Sequence, residues 1–352
     1  MLPQASFWQG KRVLLTGHTG FKGGWLALWL RRMGAEVWGM ALQPDTRPNL
    51  FEAAQLAPGM RSVIGDIRDA QGVAQLLRDC NPEVVFHLAA QPLVRASYRD
   101  PLTTFATNVM GTAHVLDAMR GAPRLRVAVM VTTDKVYRNL EQGQAFAEDH
   151  VLGGHDPYSA SKAASETVIA SYRDAFLAQQ GVAVASARAG NVVGGGDWSE
   201  DRLVPDAVRA WQGGQELVIR SPASVRPWQH VLEPLCGYLR LAEVLWQEPA
   251  LAGAYNFGPA AQEVATVRQV VDLCCAAYGA GAVRYEQDSS AAHEAATLVL
   301  DTAKAERLLG VRPRWTLQQT LQRTMSWYRA QHRGDSALAL CHSDIEAYEA
   351  LA

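Results

Sequence analysis

Two rhythms of apolar residues alternate along the first half of the chain. Short runs, apolar almost throughout, recur at 12–16, 36–40, 61–64, 83–88, 127–132 and 182–188. Between them lie longer stretches with helical spacing, at about 22–33, 69–79, 103–120 and 156–180. A run that is apolar at every position, rather than at alternate ones, predicts a strand covered on both faces, as in a parallel sheet. Strands alternating with helices predict right-handed βαβ units. The expected fold class is therefore α/β, a Rossmann-like doubly wound parallel sheet with a smaller, mostly helical C-terminal domain.

Beyond about residue 190 the rhythm becomes irregular. Gly194-Gly195-Gly196 and Gly213-Gly214 mark loops, and short strand runs at 216–219 and 255–257 lie among helical segments. No linker, repeat or low-complexity tract separates the halves. The expected organisation is interleaved: 1–187 with about 228–258 forms a dinucleotide-binding domain, and 188–227 with about 259–335 a substrate domain. Of the 352 residues, 48% are hydrophobic and 19% charged, which supports a packed core and excludes wholesale disorder. A net charge of −2 is unsuited to neutralising the many phosphates of a nucleic acid. No apolar run reaches the ~18 residues of a membrane span, and the first residues lack signal-peptide order. Cys80, Cys236, Cys274, Cys275 and Cys341 have neither zinc-site nor redox-motif spacing, so they are expected as reduced, mostly buried thiols of a cytoplasmic protein, with no metal site.

The segment Thr16-Gly17-His18-Thr19-Gly20-Phe21-Lys22-Gly23 follows the first strand run and opens the first helix. Glycine permits a tight turn and lets backbone amides approach a pyrophosphate, and a helix N-terminus adds partial positive charge. The alternative is a ligand-free turn, against which the strand-before, helix-after setting argues. An acid for the cofactor ribose is expected about 20 residues on. Gly39-Met40-Ala41-Leu42-Gln43 contains none, while Asp45 and Arg47 lie just beyond, so these residues leave NAD and NADP both open. Asp66, after the third strand run, either accepts from an adenine amino group or caps the next helix.

Tyr158 and Lys162 are four residues apart on a helical stretch and so share a face. An ammonium beside a phenol lowers its pKa and makes it a usable general base. The chain has only five lysines, yet Lys22, Lys135 and Lys162 all fall in candidate site segments, which points to roles arginine cannot fill. Thr132-Thr133-Asp134-Lys135-Val136-Tyr137 closes the strand run before the Tyr158 helix, where ligands meet an open α/β sheet. Thr133 or Thr132 is placed to bond a substrate oxygen. Asp134 offers an acid and Lys135 a base or electrostatic stabiliser, a solvated turn being the plain alternative.

The segments TGHTGFKG, GDIRD, FHLAAQPLV, TNVMGT, TTDKVY, LGGHDPYSASKAASE and ARAGNVVGGGDWSEDRLVPD together resemble the extended short-chain dehydrogenase/reductase family, and within it the nucleotide-sugar 4,6-dehydratases. The resemblance covers about 7–328. HTGFKG, TDKVY, GGHDPYSASK and RPWQHVLEPL resemble the branch acting on CDP-glucose. It implies a bound NAD cofactor cradled by Gly17, Thr19, Gly20, Phe21, Lys22 and Gly23. Asp66 and Ile67 would flank adenine, Leu88, Ala89, Ala90 and Gln91 would line the ribose side, and Thr107 or Asn108 would brace the strand ends. Tyr158 would take the sugar 4-OH proton and Lys162 would hold the nicotinamide ribose. Loss of water across C5–C6 would follow, with Asp134 protonating the departing 6-OH. Many dTDP-glucose enzymes of the group carry Asp-Glu where this chain has Asp134-Lys135, so Lys135 is either the C5 base or a stabiliser of the enolate. Asn191, Arg202, Leu203, Arg226 and His230 would contact the nucleotide sugar, and His293, Glu294 and Asp301 are further candidates.

Three other readings of the residues bear on the picture. Arg226 beside Pro227-Trp228 could be a surface pair, and Trp228 core. Gly194-Gly195-Gly196 is either a mobile lid over the nucleotide or only a turn. Trp25, Trp29, Trp211, Trp246, Trp315 and Trp327 read as core. Apolar faces on the 103–120 and 156–180 helices, together with the resemblance, imply a homodimer through a four-helix bundle. A nucleotide-sugar epimerase or reductase would keep Gly17, Tyr158 and Lys162 without needing Asp134. A non-catalytic cofactor sensor would have no use for an activated phenol.

Overall fold

The computed structural model describes residues 1–140, 143–260, 263–286 and 298–351. Val13 and Leu15 point to one side of their strand and Leu14 to the other, and both sides are buried. The same division separates Val127, Val129 and Val131 from Ala128 and Met130, which is why these runs are apolar at every position. The strands are β1 (Arg12–Thr16), β2 (Glu36–Ala41), β3 (Arg61–Ile64), β4 (Val84–His87), β5 (Val127–Val131), β6 (Ala183–Ala189) and β7 (Ala254–Phe257). They form one parallel sheet in the order β7-β6-β5-β4-β1-β2-β3. This is the doubly wound architecture expected. The order reverses between β1 and β4, opening a crevice at their C-terminal ends where such sheets bind ligands.

The helices that matter are α1 (Phe21–Arg32), α2 (Ala70–Cys80), α3 (Gly111–Met119), α4 (Pro157–Tyr172), α5 (Leu203–Gln212), α6 (Leu232–Gln247), α7 (Val267–Tyr278), α8 (Leu317–His332) and α9 (Ala337–Glu349). α1 and α6 bury the Val13/Leu15 side, with Trp25 and Trp29 fully enclosed. α2, α3 and α4 cover the other side. Small strand pairs then carry the second half: Val192–Val193 with Gln229–His230, Leu217–Ile219 with Val283–Tyr285, and Val225–Arg226 with Ala265–Thr266.

Three departures from the sequence reading have physical causes. The 103–120 helix is interrupted: Pro101–Phe105 is α-helical, Ala106–Met110 is a π turn, and α3 follows. The 156–180 helix ends the same way, with a π turn at Arg173–Leu177 and a 3₁₀ turn at Ala178–Gln180. α9, beyond the expected boundary at 335, packs on α1 through Trp29 Nε1 to Glu349 Oε1 (2.8 Å) and Arg32 to Glu346 (3.1 Å). Backbone amides that skip to an i−5 partner leave no trace in apolar spacing. The Gly194–196 triplet is a buried turn rather than a lid. The Gly195 carbonyl accepts from Trp25 Nε1 at 2.9 Å, and a Cβ there would lie 2.1 Å from the Trp327 ring. Gly195→Ala should therefore lower unfolding stability by about 1–3 kcal/mol, read as a shifted urea midpoint at unchanged slope.

Candidate active site

The turn after β1 has the geometry of a phosphate cradle. Gly17 sits at φ +83°, and a Cβ on it would lie 2.7 Å from Ala89 N. A Cβ on Gly23 would lie 2.0 Å from Gly17 O. These glycines let the loop close tightly on itself and on the 88–91 segment. Gly20 is the N-cap of α1, whose first turn carries no acid, so its amides face the crevice uncompensated. Thr19 Oγ1 donates to Leu42 O (2.9 Å), tying the loop to the end of β2. Thr16 Oγ1 accepts from the amides of Leu88 and Ala89, both at 3.2 Å. Leu88, Ala89, Ala90 and Gln91 are thus held half-buried beside the glycines. Phe21 packs towards Gly194, where a Cβ would lie 3.2 Å from its ring. These features fit a dinucleotide.

At the end of β3 the local contacts of Asp66 and Ile67 are defined. Asp66 does not cap a helix; Asp69 caps α2, accepting from Gln71 and Gly72 amides. Asp66 is paired with Arg68 at 2.6 Å, which pulls its carboxyl below the ordinary range. Ile67 is buried, and a Cβ on Gly111 would lie 2.6 Å from its side chain, so it packs rather than lies open. His18, in the loop after β1, is buried against β2 and bonded to Ser62 Oγ at 2.7 Å. Burial lowers its pKa to about 4. A Cβ on Gly39 would lie 2.5 Å from the His18 ring, which explains that glycine in mid-strand.

Tyr158 and Lys162 lie on one face of α4 at the carboxyl end of β5. Asp156 caps the helix, accepting from Ser159 N at 3.0 Å. Ser97, on the short helix Val94–Arg99, accepts from Tyr158 N at 3.1 Å and so supports the first turn from outside. The Tyr158 phenol lies beside the Thr133 hydroxyl. Burial raises its pKa, while Thr133 and Arg202 pull it down. Lys162 Nζ donates to Val131 O at 3.2 Å. Burial drops the Lys162 pKa to about 8, against the pull of Glu166.

Asp134 is fully buried. Its Oδ1 accepts from Thr133 Oγ1 and Lys135 Nζ, each at 3.0 Å, while Oδ2 has no partner. A Cβ on Gly190 would lie 2.7 Å from the Pro227 ring and 3.0 Å from that oxygen, so only glycine fits there without a shift. The pair of threonines is resolved: Thr132 is occupied by Glu166 at 2.5 Å, leaving Thr133 to face Tyr158. Lys22, half-buried, has its pKa lowered to about 8 by burial and then by Lys162 and Arg202. Its Nζ lies 5.9 Å from the ring of Tyr238, whose hydroxyl is buried without a partner. Tyr238 was not visible in the sequence because it sits in the apolar stripe of α6.

Asn108 owes its role to the π turn. Its amide accepts from Gln91 N (2.8 Å) and donates to Gln91 O (3.1 Å) and Ser161 Oγ (2.9 Å). It braces the 88–91 segment against α4, as π turns near sites often do. On the substrate side, Asn191 Oδ1 is buried and unpartnered, and Arg202 donates to Pro92 O at 3.0 Å. Leu203 opens α5 and packs partly into the core. Arg226 is buried, donating to Val225 O at 2.9 Å, and Trp228 is core. His230 is fully buried: its ring packs edge-on to Trp315 (4.6 Å) and Trp25 (5.9 Å), with its pKa held at about 3 by burial. His293 and Glu294 lie outside the described residues. Asp301 caps a local turn, accepting from Ala303 N. No group of three or more His, Cys, Asp or Glu that could hold a metal occurs among the described residues.

A family model described as GDP-mannose 4,6 dehydratase matches residues 14–324. The chain is 46% identical over 349 residues to the CDP-glucose 4,6-dehydratase of Salmonella typhimurium, covering 97% of each. DesIV, a dTDP-glucose 4,6-dehydratase of Streptomyces venezuelae solved with NAD and TYD bound, matches with TM-score 0.78 at 29% identity, covering 92% of this chain and 98% of that one. A UDP-glucose-4-epimerase of Stenotrophomonas maltophila shares the fold, with TM-score 0.80 at 22% identity over 92% and 100% of the two chains.

Gly17→Ala places a Cβ against Ala89 N in a left-handed backbone conformation. It should weaken dinucleotide binding by at least about 10-fold while the far-ultraviolet circular dichroism stays native; titration of the protein with NADH by fluorescence reads the change.

Proposed function

The chain belongs to the GDP-mannose 4,6-dehydratase family, within the extended short-chain dehydrogenase/reductases, and from that premise we propose that it converts CDP-D-glucose to CDP-4-keto-6-deoxy-D-glucose and water. It is an NAD-dependent hydro-lyase. The observation that carries this reading is 46% identity to a CDP-glucose 4,6-dehydratase along 97% of both chains. The same turn and helix hold a phenol, a buried carboxyl and two amines together.

NAD, when bound, supplies the two-electron oxidation at C4 of the sugar and the matching reduction at C6. Gly17, Gly20 and Gly23 hold its pyrophosphate, and Leu88, Ala89, Ala90 and Gln91 line its ribose side. Lys162 orients the nicotinamide ribose. Tyr158, as tyrosinate, takes the proton of the 4-OH and becomes a neutral phenol, the positive charge of Arg202 favouring the ionised form beforehand. The ketone at C4 acidifies the C5 proton. Asp134 presents Oδ2, free of other partners, to protonate the departing 6-OH. Lys135, 3.0 Å from Asp134 Oδ1, takes the C5 proton as a neutral amine while Asp134 gives a proton to the departing 6-OH, so hydrogen and hydroxyl leave as water, and it returns a proton to C5 when C6 is reduced. Asn191, Arg202 and Arg226 meet the nucleotide diphosphate, a role for which a guanidinium fork is apt.

Two copies pair through a four-helix bundle. The support is an apolar surface on the elements 101–119 and 157–177: Leu102 is 81% exposed, Met110 52%, and Phe105 and Phe176 are also open. The protein works in the cytoplasm, a reading supported by five free cysteines, four of them buried. No helix among the described residues is long and apolar enough to cross a membrane.

Incubation with NAD and each of CDP-, dTDP-, UDP- and GDP-glucose, followed by mass spectrometry for loss of water, tests the reading; product from CDP-glucose alone or by far the fastest is expected, and none from it would refute it. Tyr158→Phe should lower kcat at least 100-fold, about the contribution of a general base, with KM for CDP-glucose little changed. Sedimentation equilibrium at micromolar concentration should show at least a dimer, and Leu102→Lys should shift it towards monomer.

A further inference from the structure

Behind the ligand-facing groups lies a buried ion pair to which no role has been given. Glu166 is on α4 one turn beyond Lys162, and Arg188 is on β6; both side chains are 4% exposed. Arg188 meets the carboxylate with two donors, Nε at 3.0 Å and Nη2 at 2.8 Å. Thr132 Oγ1 (2.5 Å) and Ser186 Oγ (2.7 Å) donate to the same carboxylate. The remaining guanidinium nitrogen, Nη1, donates to Tyr137 OH (2.8 Å) and Glu148 O (2.9 Å). Tyr137 OH donates onward to Asn256 Oδ1 on β7 (2.6 Å).

Thr132 and Tyr137 are the two ends of the turn that carries Thr133, Asp134 and Lys135. We propose that the Glu166–Arg188 pair is the positioning element of the dehydration site, clamping both ends of that turn and so setting Thr133 and Asp134 in register with Tyr158 and Lys162. This rests on the dehydratase reading of the site.

Stability alone is a weak reason for such a pair, because replacing a buried ion pair by apolar residues is often neutral or stabilising. The geometry supplies a better one. Lys162 grips Val131 O and Glu166 grips the next residue, Thr132, from the same helix face. Two grips one helical turn apart stop the end of β5 from sliding along α4. The third, Arg188 on Tyr137, stops the turn from swinging about that end. Displacing a reacting group by about 1 Å costs on the order of 100-fold in rate, so this clamp bears on catalysis without touching substrate.

Thr132→Val removes one grip at constant volume and leaves Glu166 bonded to Arg188 and Ser186. Ser186→Ala removes a hydrogen bond from the same carboxylate without touching the turn. With the NAD-loaded full chain, Thr132→Val should lower kcat on CDP-glucose by about 10- to 100-fold, with KM within about twofold. Ser186→Ala should stay within about threefold of wild type in both, at a similar loss of thermal stability. Amide hydrogen exchange over 133–136 should quicken in Thr132→Val only. Equal losses of kcat in the two variants, wild-type kcat in Thr132→Val, or unchanged exchange over 133–136 would each overturn the clamp. Wild-type protein that leaves CDP-glucose unconverted would instead overturn the dehydratase reading, and the exchange comparison would still decide the clamp.

Discussion

A carboxylate stripped of water inside a protein is tolerable only if nearly every lone pair finds a donor. Glu166 meets that condition with four: two from Arg188 and one each from Thr132 and Ser186. The arginine is then left with a nitrogen that it spends on Tyr137 and the Glu148 carbonyl. Satisfying one buried charge therefore draws together α4, β6, the end of β5 and the loop that follows. The reacting groups stand on this assembly. Asp134 and Lys135 are adjacent in sequence and paired, but they are aimed only because residues 132 and 137 are held.

α4 acts as the ruler of the site. Tyr158, Lys162 and Glu166 stand at successive turns on one face, and their tasks grade from the surface of the crevice to its foundation. The phenol faces Thr133, the ammonium reaches a strand carbonyl, and the carboxylate anchors the strand's next residue. The helix itself is located by groups outside it. Ser97 supports its first turn, and Asn108 ties Ser161 to the 88–91 segment. Gly154 makes room for it, since a Cβ there would lie 2.1 Å from the Ser159 carbonyl carbon. Fold and chemistry meet at these contacts, between elements distant in the chain.

Most of the sheet was legible because burial on both faces writes a local signal. The runs at 12–16 and 61–64 are strands with the same limits, and the glycine loop stands between strand and helix as its spacing implied. The legibility stopped where a residue's partner decides its role. His230, read as a substrate contact, lies between two tryptophans. Asp66, whose alternative reading was a helix cap, is not the cap, which is Asp69. Thr132 and Thr133 look equivalent along the chain, yet one donates to Glu166 and the other to Asp134, beside Tyr158. The phenol's proton affinity, ascribed to Lys162 from spacing, is governed first by burial.

The amino-acid sequence alone determined the alternation of strands and helices, the cradle of Gly17, Gly20 and Gly23, and the shared face of Tyr158 and Lys162. Each of these depends on neighbours a few residues apart, through the two-residue repeat of a strand, the 3.6-residue turn of a helix, or the freedom of glycine. The tertiary structure decided the buried, unpartnered oxygen of Asp134, the occupied hydroxyl of Thr132, the buried place of His230 and the Glu166–Arg188 junction. Those depend on which groups lose their water together, and that is set when segments far apart in the chain pack into one interior.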